Sequence, residues 1–145
     1  MDMDEVREKI LGLRIMNDLD EEFQGKLADI FQEISAPRSV PVGGIFIHQG
    51  EHVDNKGYIL VSGAVLVKKE GFPDLVCKAP ELVGEIMQFN PAGIRTATCA
   101  GAKESVVLRF QWDDFWKKAE ERFTTDEIEK LRDVLESQAW EHFLR

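Results

Sequence analysis

The middle of this chain holds six short β-prone segments that are separated by glycines and charged turns. This pattern limits the folds that the chain can adopt, because no helical segment lies between successive strands as a parallel sheet with crossover helices would require. Several short strands at this spacing predict a sandwich or a barrel. The predicted strands are residues 45–48, 58–62, 64–69, 75–78, 96–99 and 105–110.

Amphipathic segments with a helical period precede and follow the strands. Residues 4–16 predict one helix in which Gly12 is a weak point, and Asp20 predicts the N-cap of a second helix that runs to about residue 35. Pro37 and Pro41 then stop helix formation. The expected order is therefore helices, strands, helices.

Past the strands, Phe115 and Trp116 mark a short helix, whose start is indicated by Asp113 and Asp114. A last helix follows, since Thr124 and Glu127 have the spacing of a capping box. Its apolar positions share one face and are Ile128, Leu131, Leu135, Ala139 and Phe143.

Composition narrows the class of protein. A chain of 145 residues with 43% hydrophobic and 31% charged residues is typical of one soluble domain. The net charge of -9 argues against a nucleic-acid surface or a polybasic membrane anchor, and no apolar run approaches the roughly 20 residues that span a bilayer. Cys77 and Cys99 have no CxxC spacing and are expected to be reduced and buried, so a cytoplasmic location is predicted.

No motif for catalysis or metal binding stands out. The chain lacks GxSxG and P-loop motifs, so it is not predicted to be an enzyme. His48 and His52 lie four residues apart without a suitable third ligand, which argues against a metal site or a metal cofactor. Asp113 and Asp114 fit a helix start better than a pair of catalytic carboxylates.

One acid and one base stand out between the predicted strands. Glu85 follows Gly84 at the start of an expected helical turn, and Arg95 lies ten residues later, just before a β-prone segment. A carboxylate accepts hydrogen bonds from sugar hydroxyls, and a guanidinium pairs with phosphate oxygens. The two residues therefore suit a small ligand that carries both hydroxyls and a phosphate, although an internal salt bridge between them is the alternative.

Four segments in register resemble the cyclic nucleotide-binding domain family, and the resemblance covers nearly the whole chain. They are the glycine-to-glycine turn and strand at 43–51, the tyrosine, aliphatic run and glycine at 58–67, and the two parts of a phosphate-binding cassette at 82–85 and 95–98. The resemblance implies one α+β, mainly β domain over 1–145: N-terminal helices (1–36), a double-stranded β-helix or jelly-roll barrel (42–110) with the cassette at 82–98, and C-terminal lid helices (113–145).

The resemblance also implies roles for residues of the cassette. Gly84 begins a helical turn over 84–88 whose N–H groups face the cyclic phosphate, Glu85 accepts the ribose 2′-hydroxyl, and Arg95 neutralises the phosphate charge. Thr96 favours cGMP slightly over cAMP. The predicted ligand-binding residues are Val83, Gly84, Glu85, Ile86, Met87, Arg95, Thr96 and Ala97.

The predicted function is a regulatory sensor that binds cAMP or cGMP and signals to an effector protein by movement of its C-terminal helix. Trp140 or Phe143 on that helix would stack on the purine or form a homodimer, although packing of the helix on the barrel or in a dimer is favoured over a lid. Only one helix follows Thr124, so no DNA-binding helix-turn-helix is expected. The alternative is a degenerate module that binds no nucleotide and serves protein interaction, which Met87 and a cassette one residue longer than usual favour.

Overall fold

The computed structural model describes residues 1–51, 55–83, 95 and 97–144, with side chains as far as residue 139. Helices lie at both ends of the chain and strands lie between them. The helices are α1 (Met3–Leu11), a 3₁₀ helix (Arg14–Asp18), α2 (Glu21–Ile34), α3 (Trp112–Arg122) and α4 (Thr125–Leu144). The strands are β1 (Ala36–Val40), β2 (Ile45–Ile47), β3 (Lys56–Ser62), β4 (Ala64–Lys68), β5 (Leu75–Lys78), β6 (Glu81–Val83), β7 (Thr98–Gly101) and β8 (Ser105–Gln111).

The strands form two antiparallel sheets of four. The first sheet has the order β1-β8-β3-β6 and the second has the order β2-β7-β4-β5. Strands that follow one another in sequence thus alternate between sheets at several points, as in a jelly roll. The predicted jelly roll with helices at both ends is confirmed, although the described strands form two sheets and not one closed barrel.

The first sheet is covered on both faces. Alternate residues of a strand point to opposite faces. Ile59 and Val61 of β3 accordingly pack with the helices, whereas Tyr58 and Leu60 pack with residues of the second sheet. The molecule therefore has three layers: helices, first sheet, second sheet.

The N-terminal helices differ from the prediction in one respect. The single helix predicted over 4–16 is wrong, because α1 ends at Leu11 and a separate 3₁₀ helix begins at Arg14. Gly12, the weak point, is the C-cap of α1 and interrupts the helix because glycine has low helix propensity. The predicted N-cap of α2 is confirmed, since the Asp20 carboxylate accepts a 2.9 Å hydrogen bond from the Phe23 N–H.

The strands differ in three places. Strands β1 and β6 were not predicted: β1 contains Pro37, and β6 has only three residues, too few for a pattern. Pro37 is tolerated because β1 is an edge strand that pairs only with β8. Strand β7 was predicted over 96–99, but it starts at Thr98 and continues through Gly101, where a break was expected.

The two C-terminal helices begin where the sequence predicts. Asp113 and Asp114 lie in the first turn of α3. The capping box of α4 is formed in both directions, because the Thr124 N–H donates to the Glu127 carboxylate at 2.9 Å and the Glu127 N–H donates to the Thr124 hydroxyl at 3.2 Å. No helix in the described part of the chain is both long and apolar enough to cross a bilayer.

Candidate ligand-binding site

Arg95 is the centre of the candidate site, and its backbone is fixed by hydrogen bonds to the turn that follows β2. Its N–H donates to the Glu51 carbonyl at 2.8 Å, and its own carbonyl accepts from the Gly50 N–H at 2.9 Å. This pair of bonds extends the antiparallel pairing of β2 with β7. The position of Arg95 therefore depends on backbone contacts that a change of side chain would leave in place.

The guanidinium of Arg95 is directed toward the first sheet. Its Nη2 donates a 3.0 Å hydrogen bond to the carbonyl of Lys56, the first residue of β3. Only 4% of Arg95 is exposed, so most water is already excluded from this cation. A charge held in a site of low dielectric interacts more strongly with an anion than it does in water.

The described ends of the cassette are anchored in different sheets. Val83 ends β6 and pairs with Tyr58 in the first sheet, while Ala97 lies directly before β7 in the second. Both side chains are buried. The structure thus places Val83, Arg95 and Ala97 at the two ends of the segment that connects the sheets.

The other predicted site residues lie outside the described part of the chain. They are Gly84, Glu85, Ile86, Met87 and Thr96. The predicted helical turn over 84–88, the role of Glu85 toward a ribose hydroxyl and the preference associated with Thr96 therefore remain predictions, as does an ion pair between Glu85 and Arg95.

Apolar side chains that the sequence analysis did not identify pack between the sheets in the cluster that contains Val83. Val67 of β4, Cys77 of β5 and Ala79 are half-buried and pack against the cluster that contains Val83 and Cys99. The only advance signal was the alternation within each strand. The expectation that both cysteines are buried is right for Cys99 and only partly so for Cys77, and no disulfide joins them.

The charge of Lys69 is affected by burial. Lys69 comes directly after β4, and desolvation by burial lowers the pKa of its ammonium group. Among the described residues, no group of three or more His, Cys, Asp or Glu side chains is arranged to hold a metal ion. His48 is exposed, and His52 lies outside the described residues.

Helix α4 packs on the helical layer. Leu131 and Leu135 are fully buried and belong to the same cluster as residues of α1, α2 and α3. This cluster lies on the opposite face of the first sheet from Tyr58 and Val83. The described part of the apolar stripe therefore packs on the domain, as was favoured over a lid. The side chains of Trp140 and Phe143 lie outside the described ones.

The shape of the chain is shared with known sensor domains. The sensor domain of the transcriptional regulator DNR from Pseudomonas aeruginosa has a TM-score of 0.66 at 18% identity, over 94% of this chain and 91% of that one. The regulatory domain of Toxoplasma gondii PKA, solved with cAMP, has a TM-score of 0.59 at 18% identity, over 81% of this chain and 45% of that one. The chain has the fold of cyclic nucleotide-binding domains.

A relative is also found by sequence. The Pycsar effector protein RsmPycTIR from Rhodovulum sp. (strain MB263) is 34% identical over 94 residues, which are 63% of this chain and 36% of that protein. The chain thus matches little more than a third of the length of this relative. No protein-family model matches the sequence. The resemblance to cyclic nucleotide-binding domains is confirmed at the level of the fold.

Proposed function

We propose that this chain is a regulatory sensor module that binds cAMP or cGMP between its two sheets, with Arg95 as the residue that holds the cyclic phosphate. The buried guanidinium is the observation that carries this proposal. It lies on the connection between β6 and β7, 4% exposed, with its direction fixed by the Lys56 carbonyl. A cyclic phosphate diester carries one negative charge, which one guanidinium can neutralise.

The half-buried side chains of Val67, Cys77 and Ala79 support a base or ribose beside that phosphate. They pack against the cluster that contains Val83, at one end of the segment that carries Arg95, and apolar linings are typical of sites for small organic ligands. Glu85 would complete the site by accepting the 2′-hydroxyl of the ribose.

The output of the module would be a change in the packing of α4. A ligand shifts a conformational equilibrium only through contacts that differ between the two states. Helix α4 is suited to such a change because it is held mainly by one apolar stripe. The matched part of the Rhodovulum relative is 36% of an effector protein, so the partner proposed for this module is an effector domain or protein.

Calorimetric titration with cAMP and with cGMP tests the proposal. The decisive comparison is wild type against Arg95→Gln, and the matched control is Lys103→Gln, an exposed charge between β7 and β8. Loss of a desolvated charge pair costs roughly 2–5 kcal/mol, so Arg95→Gln is expected to weaken binding by about 30-fold or more while the control has no effect. Thermal unfolding of each variant shows whether it is folded.

Two outcomes would reject the proposal. If the folded wild-type chain binds neither nucleotide at millimolar concentration, the degenerate interaction module becomes the better description. If Arg95→Gln binds as tightly as wild type, the phosphate is held elsewhere. Arg95→Lys separates charge from geometry, since lysine keeps the charge but not the planar fork.

A further inference from the structure

Three cations line one cleft at the side of the sandwich where β1 and β2 meet. They are Arg38 of β1, Lys56 of β3 and Arg109 of β8, and the cleft, here called the basic pocket, has a volume of about 340 Å³. None of the described lining residues is acidic. No pattern in the sequence indicates this cluster, because the three residues are far apart in the chain and only strand pairing brings them together.

The strand register places the three cations on one face of the first sheet. Arg109 lies opposite Tyr58 on β3 and opposite Ala36 on β1. Arg38 on β1 lies opposite Val107, and Lys56 on β3 lies opposite Gln111. Because Val107 and Gln111 are each two residues from Arg109 on β8, Arg38 and Lys56 are diagonal neighbours of Arg109. Diagonal neighbours on one face are close enough for long side chains to interact.

This face is the one that points toward the second sheet. Tyr58 and Val107 lie on it and pack in the cluster between the sheets. The inner face of a sandwich normally carries apolar residues. A row of like charges on this inner face departs from the apolar pattern, and departures of this kind are expected at functional sites.

The two arginines of the basic pocket are not neutralised by ion pairs. Within the described part of the chain, neither Arg38 nor Arg109 forms a salt bridge, although the chain carries 27 acidic residues against 18 basic ones. Arg109 is half-buried, so water screens its charge only in part. An anion bound in the basic pocket would reduce the repulsion among the cations that line it.

Two aromatic rings also line the basic pocket, one on each sheet. Phe46 and Tyr58 both line it, and their ring centroids lie 5.1 Å apart in an edge-to-face arrangement. The pocket therefore combines cations with aromatic rings, which suits an anionic group that is attached to a ring or to another apolar body.

We propose that the basic pocket binds a small phosphate monoester that carries an aromatic or other apolar group. The charge distinguishes this ligand from the one proposed for Arg95. A cyclic phosphate diester carries one negative charge, whereas a monoester carries about -1.5 to -2 near neutral pH and is better matched by the two arginines of the basic pocket. Arg95 is not among the residues that line the basic pocket. The two sites meet at Lys56, which lines the basic pocket and whose carbonyl accepts from Arg95.

Titration with phenyl phosphate, followed by ligand NMR at pH 7.5, tests the proposal. Phenyl sulfate is the matched probe, because it has a similar shape but only one charge. We expect phenyl phosphate to bind, and phenyl sulfate to bind about tenfold or more weakly, because a single negative charge is attracted less strongly by the cations of the basic pocket. Lowering the pH to 5 should weaken phenyl phosphate alone, because its second pKa is near 6.

Variants place the probe in the structure. Arg109→Gln and Arg38→Gln should each weaken phenyl phosphate by about tenfold or more, whereas Lys103→Gln should not. Arg38 is exposed on an edge strand, so its variant keeps the test valid even if Arg109→Gln does not fold. Unchanged binding in both variants, equal binding of the two probes, or no binding of phenyl phosphate at about 10 mM, well above ordinary ligand affinities, would overturn the proposal.

Discussion

Gly63, between β3 and β4, is a position that no other residue can occupy without strain. Its φ is +91°, a conformation that side chains with a Cβ rarely adopt. A Cβ at this position would also lie 2.6 Å from the Glu104 carbonyl oxygen and overlap the Ser105 hydroxyl. That hydroxyl is buried, accepts from the Ala64 N–H at 3.1 Å and donates to the Lys103 carbonyl at 2.8 Å.

Comparison of Gly63→Ala with Gly43→Ala separates strain from crowding. Gly43 has a similar φ of +77°, but nothing lies within 4 Å of the point that its Cβ would occupy. Gly43→Ala should cost about 1–2 kcal/mol for the backbone alone, whereas Gly63→Ala should cost roughly 1–3 kcal/mol more through overlap. Urea unfolding measures both, and equal losses would contradict the role given to Ser105.

At the scale of single elements, the helix starts were readable from the sequence, but β1 and β6, the edge strands of the first sheet, were not. Capping residues act over three or four positions, so Asp20 and Thr124 identify helix starts locally. Strand β1 depends on pairing with β8, about 70 residues later in the chain. Proline is tolerated in an edge strand, but the residues next to Pro37 in sequence do not show that this segment lies at an edge. Gly101 lies within β7, not at a break, and its role there is steric. A Cβ at this position would collide with the Pro41 carbonyl, which approaches the strand closely.

Removal of the Thr124 side chain should destabilise α4 at its start. Thr124→Ala deletes the hydroxyl that accepts from the Glu127 N–H, and we expect a loss of about 1 kcal/mol in the free energy of unfolding. Thr125→Ala, one residue later and also exposed, is the control and should have little effect. If the two variants unfold at the same urea concentration, the capping box contributes nothing.

The apolar stripe of α4 should determine how firmly the helix is held. Leu135→Ala removes a fully buried side chain from the helical cluster, and such changes cost roughly 2–5 kcal/mol. Hydrogen exchange should accelerate in α4 more than in β3 or β8. The exposed residue Ser137 provides the control Ser137→Ala, and uniform acceleration throughout the chain would show that α4 does not move as a separate unit.

At the scale of the whole molecule, the order of the layers was predictable but the contacts between them were not. Periodicity identified helices before and after the strands. The pairing that brings Arg38, Lys56 and Arg109 together depends on register, which no local pattern encodes. For the candidate site, Val83, Arg95 and Ala97 were named in advance, whereas the Lys56 carbonyl was not, because backbone groups leave no trace in residue type.

The pH dependence of stability should include a contribution from the ion pair that joins α2 to α3. A hydrogen bond from Arg122 lowers the pKa of Glu33 from its ordinary value of 4.5. A lowered folded-state pKa means that the stabilisation is present above 4.5 and is lost as the pH falls through the folded value. Glu33→Gln should therefore flatten the fall in stability below pH 4.5, measured by urea unfolding at several pH values. Arg122→Gln, which removes the donor, should flatten the same fall.

The burial of β3 on both faces has a consequence for how the strand finds its partners. In a sheet with one solvent-exposed face, a slip of one residue moves the apolar side chains into water, so that the free-energy cost of exposing them disfavours the slip. A slip of β3 would only exchange Ile59 and Val61 with Tyr58 and Leu60, one dry face for another. The alignment must therefore be selected by steric fit, and Gly57 provides the constraint. If a slip placed any other residue at the position of Gly57, its side chain would overlap the rings of Phe110 and Trp112.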